Sequence, residues 1–139
     1  MDDRGIQQIK KHEGLRLKPY KCSANKLTIG YGRNLEDRGI TKDEAVLLLK
    51  NDVEDHNRRL EESLPWIKDI DNEPRKWVLY NMAFNLGVKG LLGFKNTLRM
   101  VKEGNYKGAS ENMLLSKWAN QVGRRATQLS KQMRTGKWV

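Results

Sequence analysis

A single cysteine, Cys22, stands among the 139 residues, so an intramolecular disulfide is excluded and folding in a reducing cytoplasm is expected. Histidine is almost as scarce: His12 and His56 lie far apart, without Cys or acidic residues at ligand spacing, and no metal site is expected. No Ser-His-Asp set and no phosphate-binding glycine loop of the P-loop type occurs. No apolar run is long enough to span a bilayer, and the start Met1-Asp2-Asp3-Arg4-Gly5 lacks the apolar stretch of a secretory signal. A stable membrane anchor is therefore not expected. Internal repeats and low-complexity linkers are missing too. Acidic residues run out toward the end of the chain: residues 95–139 carry 10 Lys and Arg against 2 Asp and Glu, whereas residues 1–94 carry 17 against 15. The net charge of +10 is thus concentrated in the last segment. Such a field attracts polyanions, whether nucleic acid, an anionic membrane surface or a charged cell-wall polymer.

What is present suits one compact domain with a real core. Hydrophobic residues make up 37% and four tryptophans are spread from Trp66 to Trp138. Asp3 is positioned to cap a first helix running to about His12, and residues 14–35 read as a small β region relaxed by Gly30 and Gly32. Thr41-Lys42-Asp43-Glu44 is a capping box, and the helix it opens sets Leu49, Val53, His56 and Leu60 at helical spacing until Pro65 stops it. After Pro74, Leu79, Met82, Ala83 and Leu86 predict a second helix ending at Gly87. Residues 87–93, with three glycines, read as an interhelical turn, and shorter helices are expected near 96–103, 107–120 and 124–134. The fold class is α+β, mostly helical. A small N-terminal β-sheet lobe (about 13–60) is expected to join through a long helix to a helical lobe (about 61–139 plus the N-terminal helix), all within a single domain, 1–139.

The densest chemistry is the set Glu13, Cys22 and Thr28 beside the glycine-rich strand Leu27-Thr28-Ile29-Gly30-Tyr31-Gly32. Ile6, Ile9 and Glu13 fall at i, i+3 and i+7, which places the carboxylate on the buried stripe of the first helix. A carboxylate drawn into apolar surroundings holds its proton near neutrality, as a general acid must. Taken singly, each residue has a plain explanation: a solvated Glu, a small buried Cys, a strand-favouring Thr. Their combination carries the reading. Arg124 and Arg125 open the last amphipathic helix, an unfavourable place for cations that hints at pairing with an acid elsewhere.

Read as a series, these segments resemble the phage-type lysozymes, the endolysins of glycoside hydrolase family 24. The likeness runs through His12-Glu13-Gly14-Leu15-Arg16-Leu17-Lys18-Pro19-Tyr20, Leu27–Gly32, Ile40-Thr41-Lys42-Asp43-Glu44-Ala45 and Asn81-Met82-Ala83-Phe84-Asn85-Leu86-Gly87. It resumes in Gly93–Arg99 and ends with Arg134-Thr135-Gly136-Lys137-Trp138, covering nearly the whole chain. The resemblance implies a lysozyme-like fold and a muramidase that hydrolyses the β-1,4 bond between N-acetylmuramic acid and N-acetylglucosamine in peptidoglycan, with inversion and without a cofactor. Glu13 matches the catalytic acid, Cys22 stands where many members have Asp, and Thr28 matches the residue that holds the attacking water. Phe84, Thr97 and Asn112 fall where relatives line the glycan cleft, and Arg125 matches a basic residue that faces the acid. Arg33 and Asn34 depart from the His and apolar residue found there in some members.

Glycoside cleavage ordinarily uses two carboxylates. With one in evidence, Cys22 as a thiolate, its acidity increased by Lys18, Lys21 and Lys26, is expected to supply the second negative charge. A small hydrolase needs no partner, so a monomer is expected, and the family implies that it stays in the host cytoplasm until holin-type permeabilisation admits it to the wall. Two rivals remain: a basic nucleic-acid-binding protein, for which no recognition motif is found, and an inactive or membrane-disrupting protein on a lysozyme-like scaffold. No nucleic-acid partner is expected.

Overall fold

The computed structural model describes residues Met1–Val139 and confirms the α+β, mostly helical class. Two compact units divide the chain, Met1–Leu48 and Leu49–Val139.

The first unit opens with α1 (Asp3–Glu13). Its cap is Asp2 rather than Asp3: the Asp2 carboxylate accepts from the Arg4 N–H at 2.9 Å, satisfying one of the orphan donors of the first turn. Gly14, at φ 72°, ends the helix by donating its N–H to the Lys10 carbonyl. Three antiparallel strands follow in the order β1 (Arg16–Lys21), β2 (Leu27–Gly30) and β3 (Arg33–Asn34). Tyr20 faces Thr28 across the first pair, and Thr28 faces Asn34 across the second. The strand read as continuing to Gly32 stops at Gly30, because Gly30 and Gly32 take φ values of 71° and 82° and the chain turns between them.

α2 (Lys42–Ser63) starts at the expected capping box. Thr41 Oγ1 accepts from the Glu44 N–H at 3.2 Å, and Glu44 Oε1 accepts from the Thr41 N–H at 2.8 Å. Glu44 also takes a two-pronged grip from Arg33, at 2.8 and 2.6 Å. Together these bonds lower the Glu44 pKa to about 2, with the Arg33 hydrogen bond the largest cause.

The remaining helices build the second unit with the later part of α2. A 3-10 turn (Pro65–Asp69) leads to α3 (Glu73–Leu86), capped by Asn72. Then come α4 (Val88–Leu92), α5 (Lys95–Lys102), α6 (Tyr106–Leu114), α7 (Lys117–Val122) and α8 (Arg124–Thr135). Residues 88–92, read as part of a turn, form the short helix α4, since Gly87 at φ 83° both ends α3 and opens the next turn. The single helix expected over 107–120 is broken into α6 and α7 by Ser116, whose hydroxyl accepts from the Ala119 N–H and caps the second piece. All of the buried apolar residues, from Leu60 to Met133, belong to this unit, with Leu79, Met82, Leu91, Met113 and Met133 fully enclosed.

Candidate functional site

In the first unit Glu13 is the last residue of α1, and the Gly30–Arg33 turn comes close beneath it. A Cβ built on Gly32 would lie 2.8 Å from Glu13 Oε2, so only glycine leaves the carboxylate its place. Lys10, one turn earlier, lies over the Tyr31 ring at 5.5 Å and ties the helix to the same turn. The burial expected for Glu13 is corrected: α1 has no buried residue, and Ile9 is itself exposed. Two isoleucines in eleven residues are too few to build an enclosing stripe. No cation of its own unit pairs with Glu13, which sits at the negative end of the helix dipole, a costly place for a carboxylate.

Cys22 and Thr28 share the β1–β2 hairpin. Its loop is closed by the Cys22 N–H donating to the Lys26 carbonyl at 2.9 Å and the Asn25 N–H donating to the Cys22 carbonyl at 2.8 Å. Asn25 adopts the left-handed φ of 61° that such a loop requires. The Cys22 thiol is half-buried and its pKa is lowered, first by the Lys26 backbone N–H, then by that of Ala24. The expected cause, lysine charge, gives way to backbone amides: Lys21 is spent on Glu36 at 3.0 Å and Lys26 on Asp37 at 3.4 Å. Thr28, 3% exposed, gives its one hydroxyl proton to the Lys26 carbonyl at 2.8 Å. Donating to the thiolate would forfeit that bond, so the amides are its main support. The Thr28 oxygen keeps its lone pairs and is an acceptor for whatever donates to it.

Arg33, where the sequence departs from the resemblance, is committed to Glu44 and the Gly39 carbonyl.

In the second unit, Thr97 Oγ1 donates to Asn112 Oδ1 at 2.6 Å, and both residues line a hollow of about 280 Å³ together with Phe94, Lys95 and Ser116. Phe84, on α3, is 37% exposed and meets the His56 ring at 5.5 Å between centroids. Its neighbour Asn85 accepts from Trp118 Nε1 at 2.7 Å, and Trp118 stands edge-on to Phe94. Arg125 donates through Nε and Nη2 to Asn81 Oδ1 at 2.9 and 2.7 Å. Within its unit the expected acidic partner of Arg125 is thus replaced by an amide, which orients the guanidinium and leaves its charge whole. Sequence reasoning singled out neither Asn81 nor Asn85, although a signal was there: both share a face of α3 with Phe84, at i and i+4 around i+3.

No group of three or more His, Cys, Asp or Glu side chains is placed to hold a metal ion, and no helix is long and apolar enough to cross a membrane.

Residues 10–135 match the family model described as phage lysozyme. The chain is similar to an endolysin of Acyrthosiphon pisum secondary endosymbiont phage 1, 30% identical over 86% of this chain and 80% of the relative. It is also similar to the endolysin of Salmonella phage P22, 29% identical over 83% of this chain and 82% of that one. A probable T4-type lysozyme of Dictyostelium discoideum is 27% identical over 92% of both chains.

Proposed function

Because the chain belongs to the phage lysozyme family, we propose that it is an endolysin muramidase, hydrolysing the β-1,4 bond between N-acetylmuramic acid and N-acetylglucosamine in peptidoglycan. Glu13 protonates the glycosidic oxygen as the bond to the anomeric carbon breaks. A water on the opposite face donates one hydrogen bond to Thr28 Oγ1 and gives a proton to the Cys22 thiolate as its oxygen attacks. Attack opposite the leaving group inverts the anomeric carbon. Proton exchange with solvent then restores Glu13 and the thiolate. Phe84, Thr97, Asn112 and Arg125 bind the glycan, and the enzyme works as a monomer, without cofactor, once the host membrane has been permeabilised by a holin-type protein.

The observation that carries this reading is the hairpin pairing of a thiol made more acidic by backbone amides with a threonine oxygen free to accept. That pairing supports a thiolate at Cys22 in the place of the second carboxylate. The experiment is turbidity loss of outer-membrane-stripped Gram-negative walls, wild type beside Glu13→Gln, with mass spectrometry of the soluble fragments. Loss that depends on Glu13 and leaves reducing N-acetylmuramic ends is expected. Equal loss with both proteins removes Glu13 from the role, and no loss with either overturns the hydrolytic reading.

A further inference from the structure

The geometry points to His56 as a further sugar-contacting residue, forming with Phe84 a two-ring platform for one pyranose; this rests on the glycan-cleaving reading above. His56 lies on α2, and its Nδ1 is 2.7 Å from the Asp52 carbonyl one turn earlier. A carbonyl only accepts, so Nδ1 carries the proton, and in the neutral ring Nε2 is left with its lone pair. Nε2 makes no hydrogen bond, yet the one buried side-chain polar atom without a partner is Asn57 Oδ1; Nε2 therefore reaches solvent. The imidazole is thus fixed at one nitrogen, open at the other, and set against Phe84 with the ring planes inclined at 52°.

A histidine that merely satisfied itself on its own helix would need neither an open nitrogen nor an exposed aromatic neighbour. A pyranose has an apolar C–H face and a rim of hydroxyl and N-acetyl donors. The first suits the open part of Phe84, and a rim O–H or N–H donates to His56 Nε2. Asn57 Oδ1 cannot supply that acceptor, because it is buried.

The test uses the full chain as Glu13→Gln, titrated with oligomers of N-acetylglucosamine while the histidine side-chain nitrogen resonances are recorded, with His12→Gln to assign them. A shift confined to Nε2 of His56 is expected. In the otherwise wild-type enzyme, His56→Ala should raise KM about tenfold, the worth of one lost hydrogen bond. Turnover and melting temperature should be kept, and His56→Gln, which retains an acceptor, should recover most of the loss. An unmoved Nε2 resonance at saturating oligomer, or wild-type KM in His56→Ala, overturns the assignment while hydrolysis by the wild type stands. Failure of the wild type to cleave walls would instead bring down the reading on which it rests.

Discussion

Two positions let single side chains be weighed against their surroundings. At Gly32 a methyl group would meet Glu13 Oε2 at 2.8 Å, on a backbone already at φ 82°. Gly32→Ala should therefore cost about 1–2 kcal/mol of stability from backbone strain and also displace the carboxylate. Gly39, at φ 65°, has nothing within 4 Å of the same position, so Gly39→Ala should show the stability loss alone. Calorimetry and wall lysis on the two variants separate the effects: only Gly32→Ala should lose most of its lytic rate. At Cys22 the folded protein holds the thiol below its ordinary value. The rate of alkylation by iodoacetamide should accordingly reach half its maximum at a lower pH in the native protein than in urea. The depressed value stabilises the fold above the unfolded pKa, and that contribution is lost as pH falls through the folded one.

Local rules explain why some elements were legible and others were not. The Thr41–Glu44 box, the stop at Pro65 and the glycine after Leu86 act through the chain's own neighbours, and all three appear where the pattern put them. The Ser116 break is a local hydroxyl competing with a helical pattern. Arg33 gripping Glu44 depends on the chain folding back and has no periodicity to betray it. For the same reason the hairpin amides behind Cys22 could not be read from charges nearby in sequence. The Arg33–Glu44 pair makes a test with a defined direction. Glu44 titrates near 2 in the folded state against an ordinary 4.5, so its stabilisation is full above about 4.5 and disappears as pH falls toward 2. The melting temperatures of wild type and Glu44→Gln should differ at pH 6 and converge by pH 2. A second element-level clamp holds the end of α8. Arg75 donates to the Met133 carbonyl at 2.8 Å and the Arg134 carbonyl at 2.9 Å and covers the Tyr106 ring at 4.0 Å. Arg75→Ala should destabilise by about 2–3 kcal/mol in chemical denaturation, and Arg75→Lys should recover little because an ammonium cannot fork to two carbonyls while stacking.

Across the whole molecule, charge and burial are both unevenly shared. Ten cations against two anions over residues 95–139 should draw the protein to a polyanionic wall, and lytic rates should fall steadily as sodium chloride rises past physiological strength. A rate indifferent to salt would show that this charge does no work on the substrate. Apolar burial is confined to Leu49–Val139, while Thr28 is the one buried residue of Met1–Leu48. Hydrogen exchange should therefore find the slowest amides in α3 and faster exchange throughout the first unit. The same division separates the optical groups. Trp66, Trp77, Trp118 and Trp138 all lie in the second unit, and the sole thiol, Cys22, lies in the first. Intrinsic indole emission is consequently a private reporter on Leu49–Val139, and a maleimide dye on Cys22 reports on the other unit alone. Both signals are available with no residue added or removed.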